Sequence, residues 1–308
     1  VSLSPSPPGA ALPGAPLPGT HLSSNGKLAS VPERAAALGA SSVQIFLGNP
    51  RGWTASPGDP AVDLAFRTAA EERAMPVLVH ANYLINLGSP TVQTYERSKD
   101  SLTHALHRGR AVGAAGVVVH TGSCVAAGNR DAALKQVREA LLPVLDGLDD
   151  DAPALMLEPT AGQGQSLCAR IEDLAAYLDA LERHPRARIC FDTCHIFAAG
   201  HNLATPGGMT AALDTLVELA GPGRLAAVHA NDSMDVCGAF RDRHARVGTG
   251  HIGAAAFGEL LRHPAVAGLP VVLETPGGPD AYAADIALLK SMVPGQEPQD
   301  TQSLAPRA

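Results

Sequence analysis

Six segments of this sequence end on a residue able to bind a metal ion or move a proton, each directly after apolar residues: VLVH at His80, VVVH at His120, LMLE at Glu158, ICFD at Asp192, AAVH at His229 and VVLE at Glu274. Successive members lie 34 to 45 residues apart, so only the fold can bring them together. A lone polar residue at the end of a strand is usually satisfied by its neighbours. Three carboxylates among the six are a different matter, because burying them at one spot without positive charge is severely unfavourable. Metal ions are the natural compensation. Asp192-Thr193-Cys194-His195 adds an imidazole three residues after a carboxylate, and Asp242-Arg243-His244 puts a carboxylate and an imidazole on alternate residues, which point the same way in an extended chain. A tetrahedral zinc takes three or four protein ligands and carboxylates can bridge, so these nine nitrogen and oxygen donors suit two or three ions. Imidazole with carboxylate fits Zn2+, with Mn or Fe as substitutes, better than Ca2+ or Mg2+.

The elements that must position these residues are short apolar runs: Val43–Leu47, Pro76–His80, Gly116–His120, Ala154–Glu158, Arg188–Asp192, Leu225–His229 and Pro270–Glu274. They alternate with longer stretches rich in Ala, Leu and charge, and their unbroken apolar character suits strands buried on both faces. An eighth strand is expected before His21, in APLPGTHLS, despite its prolines. Eight such units predict an α/β fold, a (β/α)8 TIM barrel in which the C-terminal strand ends converge on one mouth. An open doubly wound sheet has the same period and is the competing topology.

The 308 residues are 45% hydrophobic and 17% charged, and suit one catalytic domain over 17–294. Residues 1–16 and 295–308, poor in bulky side chains, read as a flexible Pro/Ala/Gly-rich leader and a disordered tail. No apolar run reaches membrane-spanning length and no signal-peptide pattern opens the chain, so a cytoplasmic protein is expected. Five cysteines, none in a CxxC pair, suit reduced thiols. The net charge of −7 argues at first sight against a nucleic-acid partner.

The ordered motifs GTHLSS, QIFLGNPRGW, HANYLINLGSP, HTGS, LEPTAGQG, FDTCHIFAAG, HANDS, DRHARVGTGHIG and LETPG resemble those of the endonuclease IV family of AP (apurinic/apyrimidinic) endonucleases, from about Gly19 to Leu289. The resemblance implies a trinuclear zinc enzyme on a TIM barrel. It places His80 and His120 on one zinc, Asp192, His229 and Glu274 on a second with Glu158 bridging the two, and His195, Asp242 and His244 on a third. It further implies hydrolysis of the phosphodiester 5′ to an abasic site in double-stranded DNA, giving a 3′-hydroxyl and a 5′-deoxyribose phosphate, with Glu158 or Glu274 acting on the water. Arg51, Tyr83 and Leu84 would contact DNA in the minor groove and at the gap in the base stack, where a missing base makes a wedge cheapest. Three zinc ions would bring the formal charge from −7 to −1 and concentrate positive charge at the mouth, beside Arg51, Arg241, Arg243 and Arg246. A monomer is expected. Three positions depart from the family pattern: Pro159 stands for an Asn, HTGSC for an HPGSH-like run, and Met234 for a basic residue. The rival readings are a metal-dependent sugar isomerase or epimerase on the same barrel, which has no need of the third ligand set, and a noncatalytic lesion-binding protein.

Overall fold

The computed structural model describes residues 14–24, 27–293 and 295. The apolar runs form β1 (Leu17–His21), β2 (Ser42–Ile45), β3 (Val77–His80), β4 (Gly116–His120), β5 (Ala154–Glu158), β6 (Ala187–Asp192) and β7 (Leu225–His229). A short antiparallel hairpin follows, β8 (Asp232–Ser233) with β9 (His244–Ala245), and then β10 (Pro270–Leu273). Eight of these strands pair in the order β1-β10-β7-β6-β5-β4-β3-β2 and close into a parallel barrel, which excludes the open doubly wound sheet. The helices are α1 (Val31–Ala37), α2 (Pro60–Glu71), α3 (Val92–Ala111), α4 (Arg130–Asp146), α5 (Asp173–Ala180), α6 (Thr193–Ala198), α7 (Gly208–Ala220), α8 (Ala254–Arg262) and α9 (Pro279–Met292).

Local chemistry fixes the helix ends and faces. Asp59 caps α2 by accepting from Ala61 N at 2.9 Å, with Pro60 at the first helical position, where its missing N–H costs nothing. Helix α7 buries Met209, Ala212, Leu213, Leu216 and Ala220, a stripe with helical period that packs on the barrel wall.

The barrel interior is a small separate cluster of Leu78, Val118, Met156, Cys190, Ala227 and Val272. Each lies two residues before one of the six chemical residues of the strand ends. Side chains alternate along a strand, so His80, His120, Glu158, Asp192, His229 and Glu274 point to the same inner face, one layer above an apolar floor. Gly116 keeps that floor open: a Cβ there would lie 2.1 Å from Cε of Met156.

Strand β1 closes the ring between β2 and β10 despite Pro18. The Pro18 carbonyl still accepts from Ser41 N at 2.7 Å, and Gly19 is obligatory because a Cβ would lie 1.9 Å from the Ser42 carbonyl oxygen. Most of the expected leader and tail falls outside the described residues. Within the described part, Ala15 is buried and Leu17 N bonds Leu269 O at 2.8 Å, so the packed chain begins before Leu17. Among the described residues no helix is long and apolar enough to cross a membrane.

Candidate metal centre

All nine predicted donors meet at the mouth formed by the C-terminal strand ends. His80, His120 and Glu158 form one group with ligand atoms within 4.8 Å of one another, and Glu158, Asp192, His229 and Glu274 form a second that shares Glu158. Asp192, His195 and His244 form a third, and Asp242 joins His244 and Cys194 in a fourth. Asp242 Oδ2 also lies 3.3 Å from His195 Nε2, so the expected set His195, Asp242 and His244 is contiguous.

In His80, His195, His229 and His244 one ring nitrogen is engaged and the other faces the carboxylates. Nδ1 of His80 donates to Ala81 O at 2.7 Å, that of His195 to Pro159 O at 3.0 Å, and that of His244 to Glu274 O at 3.2 Å. Their Nε2 atoms are thereby turned to carboxylates, that of His80 to Glu158 and those of His195 and His244 to Asp242. His229 is wired the other way: Nε2 donates to Gln44 Oε1 at 2.9 Å, and Nδ1 faces Glu158 Oε1 at 3.0 Å and Glu274 Oε2 at 3.3 Å. Fixing the tautomer through the second nitrogen is what orients a ligating histidine.

Glu158 Oε2 is buried without a hydrogen-bond partner, although Nε2 of His80 lies 3.2 Å away and Nε2 of His120 3.4 Å away. Nε2 of His244 lies 2.9 Å from Asp242 Oδ1. An unpartnered buried carboxylate oxygen facing two imidazole nitrogens suits cations between these groups, and the donor chemistry agrees.

Mutual attraction sets the charges. Burial pushes the Glu158 carboxyl up, but the imidazoles of His229, His120 and His195 outweigh it and hold the group well below the usual carboxylate range. Burial raises Asp192. It lowers the imidazoles, taking His120 down to about 4. At His244 burial is outweighed by the hydrogen bond to Asp242 and the charge of Asp192, which bring the ring up to about 9. Burial is likewise outweighed at His195 and His229, which are raised by their carboxylates, with Cys190 the leading raising influence on His229. In protein stripped of metal the His244 imidazole holds a proton at pH 7, which a cation must displace. Adding zinc to chelator-treated protein at pH 7 is therefore expected to release protons, and affinity should rise with pH up to about 9. Calorimetry in two buffers of different ionisation heat checks this; identical heats would contradict it.

Three residues not predicted from sequence support the donors. Gln44, fully buried in β2, orients His229 and donates through Nε2 to Glu274 Oε1 at 2.7 Å. Asn231 donates to Asp192 Oδ2 at 2.7 Å and accepts from Glu274 N at 2.8 Å. Asp232, although acidic and close by, accepts from the backbone N–H of Ser233, Gly248, Gly250, Ile252 and Gly253, so it anchors the glycine-rich turn of DRHARVGTGHIG. A polar residue inside the apolar run VQIF was the available sign for Gln44. Gln44→Leu is expected to weaken metal binding roughly 10- to 100-fold by freeing the His229 ring, measurable by competition with a chromophoric chelator; unchanged affinity would contradict it.

Outside the donors, Arg51 is exposed on the loop after β2, and its N–H bonds Asn49 Oδ1 at 3.0 Å. Tyr83, 45% exposed, stacks on His120 and meets His80 edge-on, while Leu84 is half-buried. Of the flanking arginines, Arg246 is neutralised by Asp285 at 2.7 Å, and Arg241 and Arg243 share Asp235 at 3.6 and 3.5 Å. His21 lies 3.2 Å from Glu274 Oε1, whereas His251 is exposed. His263 is buried, with Nε2 3.2 Å from Asp214 Oδ1.

The profile of the AP endonuclease 2 family, described as a xylose isomerase-like TIM barrel, matches residues 32–292. The "Probable endonuclease 4" of Streptomyces coelicolor is 55% identical over 262 residues, covering 85% of this chain and 89% of that protein. The chain belongs to the endonuclease IV family. Its "Probable endonuclease 4" relative in Chloroflexus aurantiacus is 38% identical over 281 residues, covering 90% of this chain and 98% of that protein. The crystal structure of endonuclease IV from Thermus thermophilus superposes with a TM-score of 0.80 at 34% identity, covering 90% of this chain and 98% of that one. A 3-keto-D-glucoside 4-epimerase from E. coli, at 18% identity and a TM-score of 0.64, covers 89% of this chain and 98% of that one and shares the fold alone. The endonuclease IV departure at Pro159 keeps the one group His195 uses here, since proline retains its carbonyl.

Proposed function

We propose that the chain is a zinc-dependent repair endonuclease that hydrolyses the phosphodiester 5′ to an abasic site in duplex DNA and leaves a 3′-hydroxyl and a 5′-deoxyribose phosphate. Membership of the endonuclease IV family makes it a DNA-cleaving hydrolase. The observation that supports the finer reading is the convergence of nine donors in overlapping groups, with Glu158 shared by two. His80, His120 and Glu158 would hold one zinc, Glu158, Asp192, His229 and Glu274 a second, and His195, Asp242 and His244 a third. When bound, such ions polarise a phosphodiester and bring the pKa of water toward neutrality.

The protein groups divide the remaining work. Glu158 is fully buried among imidazoles and serves as the shared ligand. The Glu274 side chain keeps 13% exposure, with Oε1 fixed by Gln44, and is the carboxylate placed to orient an attacking water. Arg51, Tyr83 and Leu84 line the approach as DNA contacts. Free thiols at all five cysteines suit a reducing cytoplasm, and a monomer is the assembly to look for by size exclusion. The third donor set favours this reading over a sugar isomerase, whose pocket would not require it.

The decisive experiment incubates zinc-loaded protein with a duplex bearing one abasic site and identifies both product ends, with a free ketose as the competing substrate. Incision 5′ to the lesion with a 3′-hydroxyl supports the proposal. An intact duplex beside a converted sugar overturns it.

A further inference from the structure

The loop between β8 and β9 carries an uncommon backbone conformation at Phe240. Phe240 has φ +53°, where bulky residues rarely sit, and leaves about half of its surface in solvent. Strain of this kind concentrates where a side chain must be held in one place. The loop is indeed held: Phe240 N donates to Ala198 O at 3.0 Å and Gly238 N to Phe197 O at 3.1 Å, tying it to the end of α6. The ring lies over Gly162 of the GQG turn after β5, where a Cβ would sit 2.7 Å from Phe240 Cδ1. This gives a physical reason for glycine at 162 in addition to its φ of +84°.

The position is a functional one. Phe240 precedes the metal-donor Asp242 by two residues and shares its loop. Arg241 follows it directly, about half exposed and 3.6 Å from Asp235. Tyr83, another exposed aromatic ring, stacks on His120. We infer that Phe240 is a DNA-binding residue, a fixed aromatic platform on which a nucleobase flanking the reacting phosphate stacks. An exposed, immobile ring beside a cationic side chain is the chemistry that receives unpaired or flanking bases with little sequence preference. The inference rests on the proposed activity toward abasic DNA.

The test uses zinc-loaded enzyme and an abasic duplex. Phe240→Ala is expected to raise KM about tenfold, the loss of roughly one stacked base, with bound zinc and melting temperature unchanged. Phe240→Trp should keep KM within about twofold, and its added emission, over that of Trp53 in the wild type, should be quenched on titration with the nicked product duplex. Gly162→Ala, by crowding the ring, should raise KM severalfold and add little in the Phe240→Ala background. A Phe240→Ala enzyme with wild-type KM, or an unquenched signal from the introduced tryptophan, overturns the stacking while leaving the activity intact. A wild type that does not cleave the duplex overturns both readings.

Discussion

Replacing Glu158 by Gln is expected to lower kcat/KM for abasic-site incision by roughly 10³-fold or more, the scale of losing a principal electrostatic contributor to a phosphoryl transfer. The size of the effect follows from the crowding around this carboxylate. It is fully buried, its Oε2 faces His80 and His120 within 3.4 Å, and its Oε1 faces His229 at 3.0 Å and His195 at 3.3 Å. An amide of the same shape keeps the packing but removes the negative charge shared by two donor groups. Bound metal should fall without vanishing, because the set His195, Asp242 and His244 does not include Glu158. Elemental analysis and a gel assay of incision read both outcomes together. Activity within about tenfold of wild type would rule out the shared-ligand role.

The second large effect concerns stability and lies outside the donors. Arg108 of α3 makes two hydrogen bonds to Asp63 of α2, and both side chains are about nine-tenths buried. Arg108→Ala is expected to destabilise the fold by about 3–5 kcal/mol, since it strands a buried carboxylate. Replacing both partners with apolar residues of similar volume should cost far less. Denaturant midpoints of the single and double variants test this, and equal losses in the two would contradict it. The pair also supports the site. Gly58 lies against the guanidinium so closely that a Cβ would come 2.1 Å from Arg108 Cζ, and His104 of the same helix holds Ser56 O at 3.0 Å. The loop that presents Arg51 is therefore seated on α3, and the single variant should also bind abasic duplex more weakly.

Much of the donor set was legible because strands buried on both faces read as uninterrupted apolar runs, so a histidine or carboxylate ending each run stands out. The period of two then aims residues two apart at the same face, and this puts the apolar floor and the donors in register. The prolines of β1 obscured the eighth strand, since propensity speaks against them and only the partners on either side show that the Pro18 carbonyl and Gly19 suffice.

Other features depend on distances between segments far apart in the chain. Gln44 and His229 are 185 residues apart, and the ring nitrogen His229 offers is set by that one bond. His80, His195 and His244 choose their tautomers through backbone carbonyls, whose directions no residue type encodes. Asp232 and Asp242 are chemically alike in sequence, yet one is consumed by five backbone N–H groups and the other faces two imidazoles. The residue type of Phe240 gives no sign of its backbone conformation or exposure. The sequence by itself marked the candidate donors and set each on the same face as the apolar residue two before it, because side-chain alternation is local. Closure of the ring, the protonation pattern of the donors and the rim that would meet DNA were decided only by tertiary structure, because each depends on contacts between distant segments.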